Sequence, residues 1–250
     1  MNINIAEMAG IDKAISYSKK YNWGIEVQRF GNGSLLDSDD LSKRIEAIKI
    51  ETKNVAELSL HGPFCELVPA SIDKRIIETT KLRFNQIYNV AKAINAKHLV
   101  LHSGFIPKTY SPKFWLKNSL NFWNNFLSDK DDKIKIHIEN IYEDKFDLLA
   151  TLIDTINLNF VNICLDIGHV NSNSKLSIEE WIKELRDKIG YVHLHNNFGI
   201  LDDHFSLDKG NIDMLKVFRL LEEYSPKAIR TLETFEIDPT IKWLTKNKLI

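Results

Sequence analysis

The amino-acid sequence predicts an α/β fold, a single closed (β/α)₈ barrel, on three observations. Eight short β-rich segments recur along the 250 residues, each is followed by a helical pattern, and most end in a histidine or a carboxylate. Eight strands alternating with helices is the count that closes a barrel. In such barrels the residues that do chemistry gather at the C-terminal ends of the strands.

The strand segments are residues 2–6, 23–28, 56–61, 98–102, 134–139, 161–166, 191–195 and 229–233. Between them the hydrophobic period changes to that of a helix. In residues 73–95, Ile77, Phe84, Ile87, Tyr88, Ala91 and Ile94 fall mostly at three- and four-residue steps, one apolar stripe to pack on the sheet. Helix starts are marked as well. Ser111-Pro112 places an N-cap before a proline at the first helical position, and Ser177-Ile178-Glu179-Glu180 reads as a capping box. No linker composition, internal repeat or low-complexity tract divides the chain, so residues 1–250 are read as one domain. The longest irregular stretch, residues 196–210, follows the seventh strand, and its place makes it a candidate for holding substrate.

Apolar residues make up 44% and charged ones 27%, enough to bury a sizeable core and too apolar for a disordered chain. The formal net charge of −1 comes from 33 basic and 34 acidic side chains, so no global positive field draws in nucleic acid. Cys65 and Cys164 are too few for a disulfide framework and are read as small buried residues. The first residues lack the basic flank and apolar run of a signal peptide, and no stretch approaches the ~20 apolar residues that span a bilayer. The expectation is a cytoplasmic protein without a membrane partner.

Five strand segments end in His61, His102, Glu139, Asp166 and Glu233, and a sixth carries His193 and His195 near its end. Alternation sharpens the signal. In Ile134-Lys135-Ile136-His137-Ile138-Glu139 the isoleucines share one face, which turns Glu139 toward the barrel axis; Val192 and Leu194 face outward and send His193 and His195 inward. Carboxylates and imidazoles converging at one end would repel one another or lie poorly solvated without a cation. Their mixture suits Zn²⁺, Mn²⁺ or Mg²⁺. Other polar residues read as structural: His137, one layer deeper, as a hydrogen-bonded core histidine, and Lys135, deeper still, as half of an ion pair. Trp115, Phe122 and Trp123 follow a capped helix start and are read as helix packing rather than a sugar-stacking platform.

These residues also carry a family resemblance. Leu60-His61-Gly62-Pro63-Phe64, Leu101-His102-Ser103-Gly104, Ile138-Glu139-Asn140, Leu165-Asp166-Ile167-Gly168-His169, Val192-His193-Leu194-His195-Asn196, Asp202-Asp203-His204 with Gly210-Asn211-Ile212-Asp213, and Leu232-Glu233-Thr234 occur in an order and spacing that resembles the xylose isomerase-like TIM barrels. That family includes sugar isomerases and epimerases together with apurinic/apyrimidinic endonucleases of the endonuclease IV type. The resemblance covers nearly the whole chain. It implies a four-ligand metal set of Glu139, Asp166, His193 and Glu233, as in the isomerases and epimerases. It matches the further ligands of the endonuclease branch at His61, His102, His169, Asp202 and His204. His193 is preferred to His195 as the ligand, and His195 and Asn140 are expected to contact substrate.

Two departures weigh against a DNA-repair enzyme. The segment from His193 to Asp202 is short for that branch, and Asn196-Asn197-Phe198-Gly199 lacks the lysine that usually follows the strand. On the other side, several sugar epimerases carry an arginine where this chain has Asp202-Asp203-His204. The resemblance therefore implies an enzyme with one to three divalent ions, a sugar or sugar-phosphate isomerase or epimerase in which Glu139 and Glu233 move protons and His169 bonds the substrate. The alternative is a multinuclear zinc phosphoester hydrolase, and a third reading is a non-catalytic sugar-binding barrel. The expected partner is a small carbohydrate or phosphoester; nucleic acid, the substrate of the endonuclease branch, is disfavoured by the charge and the loops but stays an alternative.

Overall fold

Period-two alternation and capped helices become, in the computed structural model, eight parallel strands that pair in chain order and close, β8 back onto β1. The structure describes residues 2–250. The strands are β1 (Ile3–Ala6), β2 (Gly24–Val27), β3 (Leu58–His61), β4 (His98–His102), β5 (Lys135–Glu139), β6 (Val161–Asp166), β7 (Ile189–Leu194) and β8 (Ile229–Leu232). All eight overlap the segments expected from sequence. Helices α1 (Ile11–Tyr21), α2 (Leu41–Glu51), α3 (Lys74–Ala93), α4 (Pro112–Leu127), α5 (Asp147–Ile156), α6 (Ile167–Asn173), α7 (Ile178–Leu185), α8 (Met214–Tyr224) and α9 (Ile237–Lys246) alternate with them.

The caps act as their residue types dictate. Asp73 accepts from the Arg75 amide and opens α3, Ser111 accepts from the Phe114 amide ahead of Pro112, and Ser177 with Glu180 completes a capping box on α7. Each such cap is worth about 1 kcal/mol of helix stability. One helix has no counterpart in the sequence reading. Directly after β6, Asp166 accepts from the His169 amide at 2.7 Å and starts the seven-residue α6, so a residue expected only as a ligand is also a cap.

The core divides as the alternation requires. Ile134, Ile136, Ile138, Val192 and Leu194 point outward and pack with Trp115, Trp123 and Trp181 in one continuous cluster under the helices. Val100, Cys164, Tyr191 and Ile229 form a second, small cluster on the opposite strand faces, inside the barrel. Around it the interior is polar and bonded: Asn4 Nδ2 donates to Ser59 Oγ at 2.8 Å and to Tyr191 Oη at 3.2 Å, and His137 meets His98 at 2.8 Å. His137 is thus the core histidine expected.

Two expectations are corrected. Cys65 is exposed, because the segment after β3 turns outward at the barrel mouth, while Cys164 is buried. Lys135 forms no ion pair among the described residues; its ammonium donates to the Asn159 carbonyl at 3.3 Å, the strand's first residue lying near the lower rim where a carbonyl is at hand. Among the described residues no helix is long and apolar enough to cross a membrane.

Candidate metal centre

Strand register assembles the site. It sets His102 beside Glu139 and Asp166 beside His193, while His193 pairs with Thr231, two residues before Glu233. All nine residues proposed from sequence as ligands meet at the C-terminal mouth, and their donor atoms fall into three groups. In the first, His61 Nε2 and His102 Nε2 lie 3.1 and 3.4 Å from the same atom, Glu139 Oε2. In the second, His193 Nδ1 is 3.0 Å from Glu139 Oε1, 3.3 Å from Glu233 Oε2 and 3.7 Å from Asp166 Oδ2. The third gathers on Asp202 Oδ2, 3.2 Å from His169 Nε2 and 2.9 Å from His204 Nε2. Glu139 joins the first two groups through its two oxygens.

These spacings suit bound cations. Four overlapping sets of candidate ligands have their donor atoms within 4.8 Å of one another, His61 with Glu139 and His193, Glu139 with Asp166 and His169, Glu26 with His193 and Glu233, and His195 with His204 and Glu233, a closeness that a coordinated divalent ion requires. Each ring is also oriented from behind. His61, His169 and His204 each have Nδ1 within donating distance of a backbone carbonyl, that of Gly62 at 2.8 Å, Asn140 at 2.8 Å and Glu233 at 3.1 Å, which leaves Nε2 facing the carboxylates. His193 is reversed: Nε2 faces Glu26 and Nδ1 faces the group. Glu233 Oε2 is buried without a hydrogen-bond partner. A divalent ion held among these atoms answers that orphaned oxygen, so the residues present fit the metal the sequence implied.

Electrostatics point the same way. Burial opposes charge on His61, but the Glu139 carboxylate outweighs it and lifts the imidazole to about 9. Burial likewise opposes charge on His193 and His169, yet the surrounding acids raise both well above the usual range. For His204 the Asp202 carboxylate overcomes burial and gives about 9. Glu139 stays well below its usual range because His193 and His102 offset its burial, whereas burial raises Glu233. The carboxylates thus demand positive charge at this mouth, which protons on imidazole or a bound divalent ion can supply.

His195 and Asn140, expected to touch substrate, lie behind the wall. His195 Nε2 is 3.1 Å from both Asp166 oxygens, and its ring stacks on His204 with centroids 4.0 Å apart. The Asn140 amide is spent on the Asp166 backbone, donating to its carbonyl at 3.0 Å and accepting from its N–H at 2.8 Å. Gly168 makes room for His195, since a Cβ there would stand 1.9 Å from the ring's Cε1. Above the donors opens a pocket of about 280 Å³ lined by Gln28, His61, His102, Glu139, His169, Asp202, His204 and Glu233, with Met8, Phe64 and Phe235 as its apolar walls. Glu26, Gln28, Met8 and Phe235 escape the sequence reading. For Glu26 a signal exists: Ile25 and Val27 flank it as outward residues, the alternation that singles out Glu139.

Comparison with known proteins agrees with this architecture. Residues 24–247 match the family model described as xylose isomerase-like TIM barrel. The uncharacterized protein MJ1614 of Methanocaldococcus jannaschii is 31% identical over 189 residues, 72% of this chain and 72% of its own. Among solved structures, a D-tagatose 3-epimerase-like protein superposes with a TM-score of 0.77 at 22% identity, covering 99% of this chain and 96% of that one. The TTHB071 protein from Thermus thermophilus, soaked with ZnCl2, also gives 0.77, at 20% identity over 98% of this chain and 97% of that one.

Proposed function

The chain belongs to the xylose isomerase-like TIM-barrel family, and from that premise we propose that it is a divalent-metal-dependent isomerase or epimerase of a sugar or sugar derivative. The observation that carries this reading is the pocket, small at about 280 Å³, walled by Met8, Phe64 and Phe235 and floored by carboxylates and imidazoles. A compact polyol fits such a volume, whereas a nucleic-acid backbone would meet fixed negative charge and no lysine or arginine in the lining.

Glu139, Asp166, His193 and Glu233 would hold the ion. When bound, it supplies a Lewis acid that stabilises negative charge developing on substrate oxygen. Glu139, kept ionised by the histidines around it, takes a proton from the carbon beside the carbonyl on one face. Glu233, whose carboxyl is raised by burial and so can carry a proton, stands on the other side of the same pocket and returns its proton there. His169 Nε2 lies at the pocket edge and hydrogen-bonds a substrate hydroxyl. Phe64 and Phe235 cover the substrate and limit access of water to the reacting carbon.

A second reading, a multinuclear phosphoester hydrolase, is favoured by one specific observation: the first and third donor groups converge as tightly as the second. Under it those groups would hold two further ions. Elemental analysis of protein purified without chelator separates the two readings, combined with deuterium uptake from D₂O into ketoses and release of product from a phosphodiester. One ion per chain with exchange of a carbon-bound hydrogen supports isomerisation or epimerisation. Two or three zinc ions with phosphodiester cleavage and no exchange overturns it.

A further inference from the structure

Beneath the donor atoms lies a carboxylate that neither reading uses. Glu26, on β2, is fully buried in the barrel interior. Its Oε2 is 3.1 Å from His193 Nε2, and its Oε1 accepts from Gln28 Nε2 at 2.9 Å. The same Gln28 nitrogen donates to Glu233 Oε1 at 2.7 Å. One carboxylate therefore reaches two of the four residues of the second donor group, His193 directly and Glu233 through an amide.

Position on the ring decides what Glu26 does. The nitrogens of an imidazole point in different directions, and those of His193 are divided between neighbours: Nδ1 faces Glu139, Glu233 and Asp166, while Nε2 faces Glu26. Glu26 meets the ring at the nitrogen opposite the other three acids, so although it, His193 and Glu233 each bring a donor atom within 4.8 Å of the others, it does not share His193 Nδ1 with them. A carboxylate accepting from Nε2–H fixes the tautomer with its lone pair on Nδ1, sets the ring's rotation and increases the electron density Nδ1 can donate. Through Gln28 it also holds Glu233 Oε1 in place, leaving Oε2, the orphaned oxygen, turned toward the donor group.

We infer that Glu26 is the positioning residue of the metal centre, a buried carboxylate that presents His193 Nδ1 and, through Gln28, Glu233 Oε2 to the ion. This rests on the reading that an ion sits among Glu139, Asp166, His193 and Glu233. Outer partners of metal-bound histidine typically change affinity by about 10–100-fold.

The test measures Zn²⁺ affinity by chelator competition in wild-type protein, Glu26→Gln and Ser59→Ala, with circular dichroism and melting of each metal-free form as a check on folding. Ser59 is fully buried and pairs with Glu26 across β2 and β3, yet it touches none of the four ligands, so it reports a disturbed interior without loss of positioning. Glu26→Gln is expected to weaken Zn²⁺ at least about tenfold and Ser59→Ala to leave it within about twofold. Equal affinity in wild type and Glu26→Gln overturns the inference while leaving the metal site standing; no Zn²⁺ binding by wild type overturns both. Should Glu26→Gln fail to fold, histidine ¹⁵N–¹H correlation spectra of zinc-loaded wild-type protein decide instead. His193 protonated at Nε2 and ligated at Nδ1 supports the inference, and any other state of that ring overturns it.

Discussion

Two groups of buried or half-buried histidines lie one above the other in this barrel, and their chemistry is opposite. At the mouth, His61, His169, His193 and His204 are lifted above the ordinary imidazole range by carboxylates. A layer below, burial and the nearby Lys135 push His98 down to about 4, and burial with the neighbouring His98 drives His137 well below 6.5. The lower pair is bonded ring to ring at 2.8 Å, with Glu57 the nearest acid at 3.6 Å from His98. Burial alone makes an imidazole neutral; a carboxylate about 3 Å away reverses the sign. His102, 3.4 Å from Glu139 but surrounded by His61, His169 and His193, is driven by burial to about 4 like the lower pair. At His61, His169, His193 and His204 the acid partners outweigh burial; at His102, as in the core, burial and neighbouring imidazoles win.

Removing an acid from the upper group should break that distinction most severely. Glu233→Gln is expected to lower turnover by at least about 1000-fold with an unchanged circular dichroism spectrum. Full activity in that variant would sink the site assignment. Next in size is His204→Ala, read as the ratio of variant to wild-type turnover. A loss of about 100-fold or more is expected of the hydrolase, against less than about 10-fold for an isomerase whose ion sits in the second group.

The lower pair should respond through stability instead. His98 has a folded-state pKa of about 4, below its unfolded value, so its contribution is complete above about 6.5 and is lost as pH falls toward 4. Urea midpoints of wild type and His98→Gln at pH 7 and pH 5 should show the wild type losing about 2 kcal/mol more between them. Equal losses would mean that the ring is protonated in the fold. Smallest is His137→Gln, expected to cost about 1 kcal/mol, since a glutamine can still bond His98, with zinc content per chain unchanged by elemental analysis.

How much of this is legible in the sequence depends on the range of the interaction. Eight strand positions, the caps at Ser111 and Ser177, and the inward turn of Glu139 and His193 follow from alternation and from side chains within a few residues of each other. Grouping the nine proposed ligands into three sets depends on register between strands, which no local pattern encodes. Glu26 stays hidden in the sequence although Ile25 and Val27 flank it in the required alternation, because its partner His193 is 167 residues away. The expected burial of Cys65 fails for a related reason: residue type favours burial, but the outward path of the loop after β3 is a tertiary fact. Asn140 and His195 sit beside motif residues, and adjacency along the chain does not reveal that both turn to Asp166.

Gly168 carries a consequence for how this site can vary. Its missing side chain is the space His195 occupies, 1.9 Å from where a Cβ would be, and His195 braces the oxygens of Asp166. Even alanine would have to displace the ring, and with it the support of the carboxylate that both caps α6 and faces His193. In a library randomised at this one codon and selected for zinc retention, glycine should be the sole survivor, while the exposed Glu184 on α7 accepts nearly anything.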